Sequence, residues 1–416
     1  MTPNNFRIAA TDTPRAPRIG LARLTKMAFD GVDFTALWNE LVLRAQQDPK
    51  DTTALMDLSV IAQLTGDPKT GASLQSRALV QDVVYRSPTA QGTPRLKVLA
   101  FAAPIDIGGN TPIEFLLEGS DIQLETLYVA HGLALPDPLP EHDVAIVTIP
   151  DSIETRPMLA MLEAMAPRWP RPILNLPQRI KGLDRDELFK ALRDVPGIEI
   201  PVTGRVSRED FSDMALSEVI LRDVIDDGEF PLIARPVGSH AGNGLERIDT
   251  PAAIDVYLAT RPEDEFFVSR FVDYSGSDGQ FRKYRVVFVD GKPFACHMAV
   301  CSEWKVWYLN ADMAGNPRKR IEEEQFMAHF DEDFALWHGH ALREMASRIG
   351  LEYFAIDCAQ TRDGKLLVFE ADNASIVHNM DPVDVFPYKG PQMRKVFDAF
   401  VAMLYKHARS TEARAA

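Results

Sequence analysis

Apolar residues in the first 90 positions recur three and four apart, which is the spacing of amphipathic helices. This spacing predicts three helices, over residues 34–43, 54–64 and about 69–85. Asp48-Pro49 and Pro68 lie between them, and proline typically ends a helical pattern. We therefore expect a helical region over residues 1–92.

From residue 93 the pattern changes to short, continuous apolar runs, which are typical of buried strands. These runs alternate with helical patterns. The predicted strands cover residues 96–103, 124–130, 144–149 and 172–175, and the predicted helices cover residues 113–118 and 154–165. Such alternation indicates a small parallel α/β domain over residues 93–178.

Beyond residue 178 the strands are predicted to pair as hairpins. Asp290-Gly291 and Asp363-Gly364 each stand between two apolar runs, and Asp-Gly in that position is a strong hairpin signal. Residues 179–416 are therefore expected to form one domain with two subdomains, over residues 179–268 and 269–416. The predicted fold class is α+β, preceded by the α/β domain and the helical region.

The second hairpin sets two carboxylates opposite each other. If Asp363-Gly364 is a two-residue turn, Asp357 pairs with Glu370, and alternation places Asp372 on the same face. Directly opposed side chains lie about 4.5–5.5 Å apart, where like charges destabilise a sheet. A magnesium ion would compensate, since it typically takes one or two carboxylates together with substrate phosphates. Asn373 would join this metal site only through a bulge. A solvated strand face, or a general acid and base without metal, are the alternatives.

The charge balance narrows the range of partners. Sixty acidic residues stand against 45 basic ones, a net charge of −15, which argues against a nucleic-acid surface. No apolar run approaches the ~20 residues of a membrane helix. Cys296, Cys301 and Cys358 lack the spacing of a zinc site, and we expect them to be reduced thiols of a cytoplasmic protein.

Two further segments stand in a characteristic order before the acidic hairpin. Residues 230–247 are predicted to form a strand that carries Arg235, followed by a glycine-rich loop. Residues 266–273 are predicted to form a strand that runs into a hinge. Glu370 then follows Asp357 by thirteen positions. This order resembles the ATP-grasp superfamily. The nearest resemblance is to D-alanine–D-alanine ligases, glutathione synthetases and the ligases that add glutamate to a ribosomal protein. It covers about residues 172–375.

The resemblance implies ATP held between two antiparallel sheets. Arg185 and Arg235 stand where the family has phosphate-binding lysines, and arginine can fork onto phosphate oxygens. The family often has glutamate where this chain has Arg270. A hinge that binds adenine through its backbone groups would tolerate this change of side chain. The implied ATP contacts are Arg185, Arg235, Gly238, Ser239, Gly242, Gly244, Arg270, Phe271, Val272 and Asp273. An ordinary hairpin connection is the competing interpretation of the glycine loop.

The resemblance also implies the catalytic and metal residues. Arg285 falls where the family has an arginine near the transferred phosphate. Arg318 or Arg320, in a predicted loop, would cover the developing phosphoryl charge or hold an acidic substrate. Solvated basic residues are the alternative for all three. The implied ligands of magnesium, or of manganese in its place, are Asp357, Glu370, Asp372 and Asn373.

Taken together, these features predict an ATP- and magnesium-dependent carboxylate–amine ligase that works through an acyl phosphate. Its substrates would be small molecules, such as amino acids or peptides. A catalytically inactive ATP-binding regulator and a scaffold stay open as alternatives. The N-terminal helices, in which Gly66 and Ala78 weakly resemble a tetratricopeptide unit, could bind a protein partner. A homodimer is the commonest oligomer.

Overall fold

The computed structural model describes residues 18–88, 93–216, 218–239 and 242–415. Four helices open the described chain: α1 (Leu21–Phe29), α2 (Thr35–Gln47), α3 (Thr52–Leu64) and α4 (Pro68–Leu79). The three predicted helices are confirmed, although the third ends at Leu79 rather than near residue 85. Helix α1 was not predicted. Residues 1–17 and 89–92 of the predicted helical region lie outside the described residues.

The first sheet follows the helices and is the predicted α/β domain. Its elements are β1 (Val84–Arg86), β2 (Leu96–Ala102), α5 (Ile113–Leu116), β3 (Ile122–Tyr128), β4 (Val144–Val147), α6 (Arg156–Met165) and β5 (Ile173–Leu174). The strand order is β1-β3-β2-β4-β5, and β2 to β5 are parallel as predicted. Strand β1, which the sequence pattern assigned to a helix, pairs antiparallel with β3 at the edge.

The N-terminal helices are anchored by one buried carboxylate. Asp57 on α3 is fully buried and accepts hydrogen bonds from the Arg18 side chain (3.2 Å) and from the Ile19 and Gly20 backbone N–H groups (2.7 and 3.3 Å). Helices α3 and α4 also contact the loop after β2, where the Gln63 side chain accepts the Ile107 N–H at 3.0 Å and the Gln75 side chain donates to the Ile105 carbonyl at 3.3 Å. These contacts attach the helical region to the first sheet.

Asp57→Ala is expected to lower the free energy of unfolding by about 3–5 kcal/mol, because Arg18 would stay buried without its counter-charge. Urea unfolding followed by circular dichroism measures this loss. Asp67→Ala is the control, since Asp67 caps α4 from an exposed position and its removal should cost only about 1 kcal/mol. Equal losses in the two variants would contradict the anchoring role of Asp57.

The second sheet is antiparallel, with the order β7-β10-β8-β9. The elements of this part of the chain are α7 (Pro177–Ile180), α8 (Arg185–Leu192), β6 (Ile198–Glu199), β7 (Gly204–Ser207), α9 (Arg208–Asp213), α10 (Glu218–Val224), β8 (Leu232–Pro236), β9 (Glu246–Ile248), α11 (Ala252–Ala259) and β10 (Glu265–Arg270). Leu232, Ala234 and Phe266 pack on one face of the sheet with α9 and α11. Alternation therefore leaves Arg235 and Phe267, which are directly opposed, on the other face.

The third sheet has the order β12-β11-β13-β14-β6 and contains both predicted hairpins. Its remaining elements are β11 (Phe281–Val289), β12 (Lys292–Cys301), α12 (Pro317–Ala328), α13 (Phe334–Trp337), α14 (Gly339–Ile349), β13 (Tyr353–Gln360), β14 (Leu366–Asp372) and α15 (Lys389–Ala415). Strand β6 joins this sheet parallel to β14, although it precedes the second sheet in the chain. The predicted α+β fold class is confirmed.

The second hairpin has the predicted acid pair but a different turn. Thr361 and Lys365 bond across a three-residue turn, in place of the expected two-residue one. A register shift between Asp357 and Cys358 adds one residue to β14, and beyond it Asp357 pairs with Glu370 as predicted. The same shift places Phe369, which was expected on the opposite face, against Tyr274 with ring centroids 5.1 Å apart. That expectation for Phe369 was wrong, because a bulge lets two consecutive residues share one partner.

Candidate functional site

The candidate site lies between the second and third sheets. On the second sheet, the side chain of Arg235 is largely buried and turns back to the glycine loop. Its Nε donates to the Ser239 hydroxyl at 3.1 Å, and an Nη group donates to the Ser239 carbonyl. Burial lowers the pKa of Arg235 to about 10, and the charge of Arg185 adds to this effect. A cation held against such a cost at a glycine loop is suited to an anionic ligand.

The glycine loop needs glycine for its backbone conformation. Gly238, Gly242 and Gly244 all have positive φ, at 77°, 70° and 65°. At Gly244 a Cβ atom would also lie 2.6 Å from the Pro236 ring, so a side chain is excluded there. Ser239 fits the same turn, with its hydroxyl donating to the Pro236 carbonyl at 2.8 Å. His240 and Ala241, which belong to the predicted loop, lie outside the described residues.

Two predicted phosphate-binding arginines converge on one predicted metal ligand. Arg185, in the first turn of α8, is hydrogen-bonded to Glu370, and Arg235 Nη1 lies 3.7 Å from the same carboxylate oxygen. The Arg185 guanidinium also lies 5.9 Å from the centre of the Phe267 ring. Burial would raise the pKa of Glu370, and Asp357 adds to that, but Arg185, Lys283 and Arg235 outweigh both and lower it.

Asp357 is the deepest charge of the site, with 3% of its surface exposed. Arg285 forks onto it, with Nε at 2.8 Å and Nη2 at 3.0 Å, and Lys283 Nζ lies 2.8 Å away. Burial alone would raise the pKa of Asp357. The charges and hydrogen bonds of Arg285 and Lys283 outweigh it and hold the pKa far below its ordinary value. The predicted acid pair is therefore flanked by four cations.

The other two predicted ligands lie at the end of β14. Asp372 pairs with Ala355 on the face that carries Asp357, and its Oδ1 accepts the Ala374 N–H at 2.7 Å. Asn373 is buried and turns toward the first sheet, where its amide donates to the Ile149 carbonyl at 3.1 Å. The bulge of this hairpin precedes Glu370 and so does not bring Asn373 to the acids. The metal role of both residues stays a prediction.

The donor set fits magnesium in the company of phosphate. Asp357 and Glu370 supply carboxylate oxygens in directly opposed positions. Within the residues that the structure describes, no three acidic, histidine or cysteine side chains are grouped closely enough to hold a metal by themselves. An ion with two carboxylates would complete its shell with phosphate oxygens and water, as magnesium usually does.

The hinge residues are held mainly by protein contacts. Arg270 bonds Asp227 at 2.6 Å and also contacts Glu199 on β6, so its side chain is committed to the hinge itself. The Phe271 N–H donates to the Pro231 carbonyl at 2.8 Å, while the N–H of Val272 has no hydrogen-bond partner among the described residues. Asp273 Oδ1 accepts the Ser275 N–H, and its other oxygen lies 3.0 Å from Arg362. The adenine role of the hinge stays a prediction, and Val272 offers its free donor.

Arg318 and Arg320 are not in a loop, as the sequence pattern suggested. Asn316 caps α12, which starts at Pro317, and both arginines lie in its first turn. Arg320 donates to the carbonyls of Met313 and Ala314, and Arg318 is exposed. Pro at the first position of a helix is favourable because its missing N–H would have no helical partner there. The catalytic role of Arg318 and Arg320 stays a prediction.

Some residues around the site were missed by the sequence analysis. Arg205 lies 4.8 Å from the centre of the Phe267 ring and is bonded to Asp184, beside Arg185. Lys305, in the segment after β12, donates through Nζ to the Leu245 carbonyl at 2.8 Å, next to the glycine loop. His297 lies directly opposite Arg285. Only the last had a sequence signal, since hairpin register from Asp290-Gly291 brings it near Arg285.

Comparisons by sequence and by structure give different results. No family profile and no curated protein sequence matches the chain. The similar solved structures include a RimK domain ATP-grasp protein from Sphaerobacter thermophilus (17% identity, 75% of this chain and 99% of that one, TM-score 0.42). Others are the VanG D-Ala:D-Ser ligase from Enterococcus faecalis (10%, 75% and 100%, 0.45) and the D-alanine–D-alanine ligase from Bacillus anthracis complexed with ATP (12%, 77% and 99%, 0.44). The chain is thus similar to these proteins over about three quarters of its length.

Two findings bear on the surroundings of the protein. Among the described residues, no helix combines the length and apolar character needed to cross a bilayer. Cys296, Cys301 and Cys358 are all buried and carry free thiols.

Proposed function

We propose that this chain is an ATP-dependent carboxylate–amine ligase that forms an amide or peptide bond through an acyl phosphate. The observation that carries the proposal is the opposed pair of Asp357 and Glu370 with cations on both sides, facing a glycine loop across two antiparallel sheets. This arrangement suits phosphoryl transfer, in which catalysis rests on positioning and on neutralising charge.

The proposed role of each site residue follows from the sheet on which it lies. Arg185, Arg235 and the loop N–H groups would bind the triphosphate from the second-sheet side. Bound magnesium would neutralise charge between phosphate oxygens, and Asp357 and Glu370 are the residues that would hold it. Arg185 and Arg285 now cover these acids, so phosphate that draws the arginines away would free carboxylate oxygens for the ion. Arg285 would then stabilise the transferred phosphoryl group.

The hinge would hold adenine through the Val272 N–H, and the carboxylate and amine substrates would meet beyond Arg285. We infer that these substrates are amino acids or peptides. The buried, unpaired cysteines support a reducing compartment such as the cytoplasm.

One observation favours ATP binding without catalysis. Both Asp357 oxygens are already occupied by Arg285 and Lys283, which disfavours a metal at that carboxylate. Release of ADP and phosphate, measured with pools of the common amino acids and dipeptides, separates the two functions. Substrate-dependent ADP release supports the ligase, whereas tight Mg·ATP binding with no turnover in any pool supports the inactive ATP-binding protein.

Arg235→Met is expected to weaken ATP binding by roughly 10- to 100-fold, the loss of one charge-assisted contact of about 1.5–3 kcal/mol. Arg235→Lys should retain most of the affinity, because it keeps the charge. Isothermal titration with ATP and magnesium measures both. Arg348→Met is the control, since Arg348 pairs with Asp194 on the protein surface. Equal affinities for Arg235→Met and Arg348→Met would contradict the phosphate contact.

A further inference from the structure

His297 belongs to the same cross-strand row as the site residues. His297 on β12 lies directly opposite Arg285 on β11. Arg285 in turn lies opposite Asp357 on β13, and Asp357 lies opposite Glu370 on β14. Directly opposed side chains in an antiparallel sheet share one face, so the row runs across four strands on the face of the site. His297 ends this row, beside the arginine that we assign to the transferred phosphoryl group.

One ring nitrogen of His297, Nδ1, is buried without a hydrogen-bond partner among the described residues. Buried polar atoms normally have a partner, so this ring calls for a ligand or a reaction. His378, another described histidine near the site, differs: its Nδ1 accepts the Met380 N–H at 3.1 Å and is therefore already engaged.

The charges around His297 keep it neutral. Burial lowers its pKa well below the ordinary value, and Arg285, Lys389 and Lys283 add to this effect while Asp357 opposes it. Tyr308 packs its ring edge on the imidazole at 4.9 Å between centroids. A neutral imidazole can accept a proton. Phosphate charge arriving at Arg285 would make it a better acceptor, because an added negative charge favours the imidazolium.

A buried polar network holds this part of β12 in place. Glu323 on α12 is fully buried and accepts from the Met298 N–H (3.1 Å) and from the hydroxyls of Tyr308 (3.0 Å) and Tyr388 (2.6 Å). Lys389 Nζ lies 3.5 Å from Glu323. The network therefore fixes the backbone beside His297 and the Tyr308 ring that packs on its imidazole.

We propose that His297 accepts the proton that the amine substrate must lose before it attacks the acyl phosphate, an inference that rests on the proposed ligase function. The ammonium group gives one proton to an imidazole nitrogen. The freed lone pair forms the C–N bond as the bond from the acyl carbon to the phosphate oxygen breaks. The second amine proton leaves with phosphate, and the imidazolium returns its proton to water.

Hydroxylamine separates this step from the formation of the acyl phosphate. Hydroxylamine is largely unprotonated at neutral pH and needs no base, so it traps an acyl phosphate as a hydroxamate even where the base is missing. With pools of the common amino acids and dipeptides, the amide yield and the hydroxamate yield are measured in the same sample. Their ratio does not depend on how much of a variant is folded.

His297→Asn is expected to lower amide formation by about 10²- to 10⁴-fold, the usual contribution of a general base. Its hydroxamate formation should stay near that of the unmodified chain, and its amide formation should rise with pH as the free amine fraction grows. His338→Asn is the matched control. His338 also has an unpartnered buried nitrogen, but its ring packs on Phe334 outside the row.

An unchanged ratio of amide to hydroxamate in His297→Asn would overturn the role of His297 while leaving the ligase function intact. Absence of hydroxamate from the unmodified chain, with every pool, would overturn the ligase function and this inference with it. His297→Gln repeats the measurement with a second side chain, so that one poorly folding variant does not decide the outcome.

Discussion

Glu370→Gln is expected to reduce ADP release by at least about 100-fold, because it removes a charge that should hold the metal where phosphoryl charge develops. Two further contacts depend on this carboxylate, since Arg185 and Arg235 both approach it. Glutamine keeps the shape of the side chain, so the fold should be retained. A coupled assay for ADP measures the loss once a productive substrate pool is known.

Glu125→Gln is the control for Glu370→Gln. Glu125 lies on β3 of the first sheet and pairs with Arg86 at 2.9 Å, so it has the same chemistry on a strand outside the site. We expect it to leave ADP release unchanged. Full turnover in Glu370→Gln would remove this carboxylate from the metal site.

Asp357→Ala is expected to lower the free energy of unfolding by about 3–5 kcal/mol, since it removes the buried carboxylate that pairs with two half-buried cations, Arg285 and Lys283. Urea unfolding at neutral pH measures this loss. Asp357→Ala combined with Arg285→Leu should recover part of it, because the unpaired charge of Arg285 is then removed together with its partner. A double variant less stable than Asp357→Ala would contradict this account.

The same carboxylate gives stability a defined dependence on pH. The pKa of Asp357 is lowered in the folded chain, so its contribution is complete above the unfolded value of about 3.9 and is lost as the pH falls through the folded value. The stability gap between the parent chain and Asp357→Ala should therefore be constant from pH 7 to about 5 and close only in stronger acid.

The predicted pairing of Asp357 with Glu370 is correct because two errors in the predicted hairpin cancel each other. The turn after Thr361 is one residue longer than Asp-Gly predicts, and the bulge beside Asp357 restores the pairing with Glu370. Turn residues report local backbone preference, whereas a bulge depends on how both faces of the sheet pack. Alternation alone therefore found the right pair and placed Phe369 on the wrong face.

Features that depend on tertiary contacts could not be predicted. Val84–Arg86 continues an apolar spacing that suits a helix, but in the structure it pairs with the edge of β3 as a strand. The cluster at Arg318 and Arg320 looked like a loop because Asn316-Pro317 is also a turn signal, and here it caps a helix. Most of the ion pairs around Asp357 and Glu370 join residues more than 70 positions apart, beyond the reach of any local pattern.

Strand β6 determines how the second sheet is connected to the third. Because β6 pairs with β14 and the chain returns to the third sheet at β11, the whole second sheet is an insertion between two strands of its neighbour. Arg270, at the exit of this insertion, contacts Glu199 at its entrance. The two chain segments that connect the inserted sheet to the third sheet are thus joined by one ion pair, and the sheet that carries Arg235 and the glycine loop is held at its base next to the strand that bears Glu370.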